Sequence, residues 1–284
     1  MKPAPFEYVR PSSRAEAVAA LATYGDDGKA IAGGQSLVAA MNFRLARPAV
    51  LVDLNGATDL DYLRPEGGKL RIGALTRHAA FHRPVVEGPL GVLLARVVRN
   101  IAHYPIRQRG TFTGSLAHAD PASEWCLVSR TLGAEMVIAN TGGERVCAAA
   151  DFFRGTFTTA VGTEDLLAEA RLPLLGPNWR SGFFEFSRRA GDFALAMSLA
   201  ALEIDGGVIR AARLGVGGVA DRPLRLDALE AQLVGQAPSA ALFAGLGEAA
   251  RDLITPTEDI HASADYRRDL IRTVVNRALT QAAS

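Results

Sequence analysis

The chain has 284 residues, 49% of them hydrophobic and 21% charged, the composition of an ordinary globular protein with a sizeable core. Its 31 Lys and Arg balance 30 Asp and Glu, so the basic excess of a nucleic-acid binder is missing. No apolar run approaches the roughly 18 residues of a membrane span, and the start "MKPAPFEYVRPSS" holds no signal core, so no membrane span and a cytoplasmic location are expected.

In chain order, "FEYVRP" reads as extended, and "SSRAEAVAALATYG" as a helix with Ser12 or Ser13 near its N-cap and Gly25 past its end. "KAIAGG" is a short strand running into a glycine loop, and "PAVLVDLN" is a continuous apolar strand of the kind buried on both faces. This opening unit closes near Asn55. Next come two extended runs around "PEGG", helix-like spacing from Thr76 to His82, and a helix from Gly88 to Ala102. His78 and His82 then share one face of a surface helix; no third ligand follows them, so no metal is expected.

A second loop, "RGTFTGS", precedes "PASEWCLVSRTLG", which reads as a helix with Asp120 as N-cap and Pro121 at its first position. A hairpin around Asn140 to Gly143 and the strand "DLLAEARLPL" end this unit. "LLGPNWRSG" is the best boundary. Beyond it, "FFEFSRRAGDFALAMSLAALEID" and "GGVIRAARLGVGGV" look extended, and three helices follow. Runs of strands with interspersed helices predict an α+β protein rather than a wound βαβ sheet. The expected division is 1–56, 57–176 and 177–284, the first two being α+β subdomains.

The two loops carry the chemistry. Glycine lets backbone approach a ligand, successive amides form an anion-binding concavity, and Ser or Thr adds hydroxyl donors. The first loop offers Gly33, Gly34, Gln35 and Ser36; the second offers Thr111, Thr113, Gly114 and Ser115. Two such nests suit a diphosphate, but the same residues also make plain turns, and neither GxGxxG nor a P-loop is present. Ser115, His118 and Asp120 in "SLAHADPASE" have the residue types of a hydrolase triad, yet three residues of one loop seldom converge. Glu124 sits where a first-turn carboxylate accepts a bond from a sugar hydroxyl or simply complements the helix dipole. Arg188 and Arg189, beside a Gly-Asp turn, either clamp an anion or are solvated.

"AGGQSL" at 32–37, "IRQRGTFTGSLAHADPASE" at 106–124, "EDLLAEARLP" at 164–173, "SRRAGDFALA" at 187–196 and "SADYRRDL" at 263–270, taken together in this order, resemble the FAD-binding medium subunit of the molybdenum hydroxylases. That group includes carbon monoxide, quinoline, nicotine and xanthine dehydrogenases. The resemblance implies two α+β subdomains holding FAD (the PCMH-type fold) and a smaller C-terminal domain with a three-stranded sheet. It implies cofactor contacts for Ala32, Gly33, Gly34, Gln35, Ser36 and Leu37, and for Thr111, Thr113, Gly114, Ser115, Ala117, His118 and Asp120. It adds Glu124 at the cofactor's sugar, Leu167 near the flavin-side loops, and the basic pair Arg188 and Arg189.

Two positions depart from the pattern. Thr113 stands where the second loop usually has glycine, which strains the loop if that backbone needs positive φ. Phe184 replaces a lysine carried by some relatives.

With only Cys126 and Cys147, the chain cannot ligate an iron–sulfur cluster through four thiolates. The resemblance therefore implies a large subunit carrying a molybdenum–pterin cofactor and a small one carrying two [2Fe–2S] clusters, assembled as a dimer of heterotrimers. No catalytic side chain and no metal ligand is expected in this chain. The alternatives are a stand-alone FAD oxidoreductase with its own substrate, or a cofactor-free assembly module.

Overall fold

The computed structural model describes all 284 residues. β1 (Glu7–Val9), α1 (Arg14–Tyr24), β2 (Gly28–Ile31), α2 (Leu37–Asn42) and β3 (Val50–Asp53) form the first layer. Its strands are parallel in the order β1-β3-β2, and the central β3 is buried at every position, as its unbroken apolar sequence requires. Ser13 caps α1 by accepting from the Glu16 amide, and the Glu16 carboxylate reaches back to the Ser12 amide.

The second layer starts with the hairpin of β4 (Leu63–Glu66) and β5 (Lys69–Gly73), which turns through Gly67 and Gly68. Four helices follow: α3 (Pro89–Val97), α4 (Tyr104–Arg107), α5 (Phe112–His118) and α6 (Glu124–Leu132). The chain then returns through β6 (Glu135–Asn140), β7 (Gly143–Ala148), α7 (Ala149–Phe152), the ribbon of β8 (Phe153–Gly155) and β9 (Thr158–Thr159), and β10 (Leu166–Pro173). The five-stranded sheet is antiparallel in the order β4-β5-β10-β6-β7. Beneath the helices, the fully buried rings of Phe81, Phe112 and Trp125 pack 4.8 to 5.6 Å apart at tilted angles.

The last layer is β11 (Trp179–Phe186), β12 (Ala196–Asp205), β13 (Val208–Gly217) and β14 (Leu224–Arg225), an antiparallel sheet in chain order, followed by α8 (Asp227–Leu233), α9 (Ala240–Leu253) and α10 (Ala264–Ala283). The two faces of β12 enter different cores. Met197, Leu199 and Ala201 join the core of the second layer, while Ala196, Ala200 and Leu202 join the one under α9 and α10.

Several expectations are corrected. The C-terminal sheet has four strands rather than three; β14 is two residues long and carries no readable period. The helix expected from Gly88 to Ala102 stops at Val97: Arg99, Asn100 and Ile101 tighten into bonds three residues back, Ala102 turns to φ 42°, and Arg107 takes the carbonyls of Ile101 and Ala102. Asp120 does not cap a helix at Pro121: its carboxylate accepts from the Ala122 amide at 2.8 Å and α6 begins only at Glu124. The run expected to be extended from Phe183 onward is broken between Phe186 and Ala196. His78 to His82 form a short 3₁₀ turn rather than a surface helix, and His78 is buried. Its Nδ1 accepts a hydrogen bond from the Trp125 indole at 3.0 Å.

Candidate functional site

The first loop, Ala32–Ser36, leaves the end of β2 and enters α2. A Cβ on Gly33 would lie 2.3 Å from the Arg109 carbonyl oxygen and 2.7 Å from the Gly110 Cα, so only glycine lets this loop lie against the second one. Gly34 has φ 71°, the left-handed conformation that glycine adopts without strain. The amides of Gly33, Gly34, Gln35, Ser36 and Leu37 donate to nothing within the chain. Ser36 precedes α2 without a capping bond, so its hydroxyl is also free. The Gln35 side chain donates to the Gly33 carbonyl at 2.9 Å.

The second loop is built differently. Thr111 caps α5: its hydroxyl accepts from the Gly114 amide at 3.0 Å, and a Cβ on Gly114 would lie 2.5 Å from that hydroxyl. Thr113 is not at positive φ. It is a buried helical residue whose hydroxyl donates to the Ala74 carbonyl at 2.9 Å, so the anticipated strain is absent. The Thr111 and Thr113 amides have no partner within the chain. Strand-like bonds from the His78 amide to Gly110 (2.9 Å) and from the Phe112 amide to Thr76 (3.0 Å) tie this loop to the segment before it.

A second link joins the loops. Asn55, two residues past the end of β3, donates through Nδ2 to the Ala32 carbonyl at 2.9 Å. Its Oδ1 accepts from Arg77 Nη2, and Arg77 Nη1 donates to the Arg109 carbonyl. Neither residue stands out in the sequence; a polar residue at the end of a buried strand is the only signal Asn55 offers.

The other candidates lie on α5, on β10 and around a separate cleft. Ser115 is half-buried in α5 and Ala117 is exposed. His118 packs against Phe157 with ring centroids 4.8 Å apart, and burial holds it below its ordinary pKa. No hydrogen bond connects Ser115, His118 and Asp120 through their side chains, so the residues do not form a triad. Leu167 is a buried residue of β10 in the same core as Phe112 and Leu116, behind the second loop.

Asp120 and Arg188 line a cleft of about 600 Å³, together with Thr156, Phe193, Glu258 and Arg267. Phe193 is 73% exposed there. Arg189 is exposed and pairs at 3.1 Å with Asp192, which also lines this cleft. Glu124 is pushed up by burial first and by Asp120 second, and Glu185 on β11 is pushed up by burial and by Glu124. Glu185 Oε2 is buried without a partner.

This donor set fits a diphosphate: consecutive free amides, two loops that touch only because Gly33 has no side chain, and free hydroxyls at their mouths. No group of His, Cys, Asp and Glu is placed to hold a metal ion, and no helix is long and apolar enough to cross a membrane.

The family described as the FAD binding domain in molybdopterin dehydrogenase matches residues 4–175, and the CO dehydrogenase flavoprotein C-terminal domain matches residues 181–282. The chain is 35% identical to caffeine dehydrogenase subunit beta of Pseudomonas sp. (strain CBB1), covering 100% of this chain and 96% of that one. It is 38% identical to the 6-hydroxypseudooxynicotine dehydrogenase complex subunit alpha of Paenarthrobacter nicotinovorans, covering 99% and 96%. Among solved structures, carbon monoxide dehydrogenase from Hydrogenophaga pseudoflava superposes with a TM-score of 0.95 at 34% identity, covering 99% of this chain and 98% of that one. The chain therefore belongs to the family of FAD-binding medium subunits of the molybdenum-containing dehydrogenases, as a flavoprotein oxidoreductase subunit.

Proposed function

We propose that this chain is the electron-transfer subunit of a molybdenum hydroxylase complex, receiving electrons from the [2Fe–2S] clusters of a small partner and delivering them to an external acceptor. The partners are that small subunit and a large molybdenum–pterin subunit, in a cytoplasmic dimer of heterotrimers. The observation that carries the reading is the pair of nests in contact at Gly33, with their amides free. Bound FAD supplies the conversion between one-electron and two-electron transfer.

The chain's own residues hold and surround it. The amides of Gly33, Gly34, Gln35, Ser36 and Leu37, with those of Thr111 and Thr113, hold the diphosphate, and the hydroxyls of Ser36 and Ser115 add donors. Ala32, Gly114 and Ala117 keep the loops small. Glu124, pushed up to about 7 by burial, accepts from a sugar hydroxyl and, in its protonated form, also donates an O–H. Asp120 and Arg188 border the cleft through which an acceptor reaches the cofactor, with Arg189 exposed beside it, His118 packed on Phe157 at the end of α5, and Leu167 supporting the second loop from behind.

Relatives of similar length are subunits of dehydrogenases named for compounds as unlike as caffeine and 6-hydroxypseudooxynicotine, which supports assigning the choice of primary substrate to the large subunit rather than to these residues. The cleft of about 600 Å³ beside Phe193 supports a second reading, a flavoenzyme that turns over its own small substrate. The test is to purify the full chain with and without co-expressed partners, and to identify the acid-released cofactor by mass. Released FAD, with turnover only when both partners are present, is expected. Turnover by the isolated chain favours the second reading, and no flavin in either preparation overturns both.

A further inference from the structure

We propose that Asn55 and Arg77 form a positioning bridge that sets the two loops against each other and turns the first loop's amides toward the FAD diphosphate; this rests on the diphosphate reading above. The carboxamide of Asn55 is fixed before it reaches the loops. Its backbone amide donates to Asp53 Oδ1 at 3.1 Å, its Nδ2 also donates to that oxygen, and the buried Asp53 carboxylate accepts from the Tyr8 hydroxyl as well. What remains of the carboxamide points one donor at the Ala32 carbonyl and its acceptor at Arg77. Arg77 is held by the backbone on both sides, through Thr76 and His78, and spends its second prong on the Arg109 carbonyl.

The consequence follows from peptide geometry. In a trans peptide the carbonyl and the following amide point in opposite directions. Holding the Ala32 carbonyl on the Asn55 side therefore aims the Gly33 amide the other way, out of the loop. Gln35 does the same locally for the next peptide, by taking the Gly33 carbonyl. The bridge also covers two carbonyl dipoles that would repel an anion beside the nests, and a fork of planar guanidinium donors is what lets one side chain reach both Asn55 and Arg109. Asn55 acts through the Gly33 amide, and Arg77 through Asn55 and the second loop.

The test is FAD titration of the deflavinated full-length chain by flavin fluorescence, with circular dichroism and Tm recorded for each variant. Asn55→Leu and Arg77→Met are each expected to raise Kd about tenfold, one net hydrogen bond's worth. Their double variant is expected to bind no worse than the weaker single, because either change breaks the same bridge. Arg77→Lys keeps the charge but not the fork, and is expected to lose as much as Arg77→Met.

Wild-type affinity in Arg77→Lys would mean that Arg77 acts as a point charge, and overturns the bridge; so does multiplication of the two single losses, or singles within about twofold of wild type. If Asn55→Leu does not fold, the comparison of Arg77→Lys with Arg77→Met decides alone. Ser36→Glu, at an exposed position whose side chain makes no bond, puts a carboxylate in the first nest and is expected to weaken FAD about a hundredfold or more. Unchanged affinity in that variant would sink the diphosphate reading itself, separately from the bridge.

Discussion

The loop after β2 and the loop leading into α5 touch at Gly33 and both carry free amides, but they are held in shape by opposite means. The first uses almost no side chains of its own: Gly33 is small so that the loops can touch, Gly34 supplies a left-handed turn, and Ser36 leaves its hydroxyl unspent. The second is a helix start whose side chains are structural, with Thr111 on the Gly114 amide and Thr113 on the Ala74 carbonyl. Changes to the free Ser36 side chain should therefore register mainly in the ligand, and changes to Thr111 or Thr113 mainly in the fold, while Gly33, where the loops touch, bears on both.

The largest effect is expected from Gly33→Ala, which drives a methyl group into the Arg109 carbonyl and separates the loops. It should cost about 3 kcal/mol in urea unfolding, the upper range for overpacking, and should abolish measurable FAD binding. A variant that binds FAD normally would mean the loops need not touch.

The foundation of the second loop titrates between pH 7 and 4. Burial pushes His78 down to about 4, where its ring stays neutral under Gly110 and accepts from Trp125. An unfolded histidine near 6.5 binds a proton that the folded one refuses, so this stability is complete above about pH 6.5 and drains away as pH falls toward 4. The full loss is roughly 3 kcal/mol. Thermal unfolding followed between pH 7 and 4 should show it, and His78→Phe should flatten that slope.

A smaller contrast compares two hydroxyls. Thr111→Val removes the cap isosterically and should lower stability by about 1 kcal/mol, whereas Ser36→Ala should leave Tm unchanged and weaken only FAD. Equal stability losses in the two variants would erase the distinction drawn here. The least effect is expected from Arg189→Ala, since its ion pair with Asp192 is on the surface: under about 0.5 kcal/mol in stability, and FAD affinity within about twofold of wild type.

What the sequence made legible was whatever its own neighbours determine. The two glycine loops, the unbroken apolar β3 and the capped α1 could all be read from short windows. His78 was misplaced because its spacing from His82 fits a helical face, while its partner Trp125 lies 47 residues away. Asp120 carries the strongest N-cap signal in its segment, yet its carboxylate closes a turn on Ala122 and leaves α6 to start at Glu124. Thr113 looked like a strained departure because the comparison was with glycine; the structure gives it a helical backbone and a carbonyl to bond. Asn55 and Arg77 were invisible for a related reason: one side chain ties together segments that no periodic pattern connects.

β12 has no free face, and this bears on how the chain behaves as a material. Met197, Leu199 and Ala201 belong to the core of the second layer, and Ala196, Ala200 and Leu202 to the core beneath α10, with Ser198 buried between them on the Gly215 carbonyl. The linker before β11 is thus a seam in the covalent chain that does not coincide with a seam in the packing. A proteolytic nick between Gly176 and Asn178 should be mechanically silent, the two fragments migrating together on gel filtration until denaturant separates them.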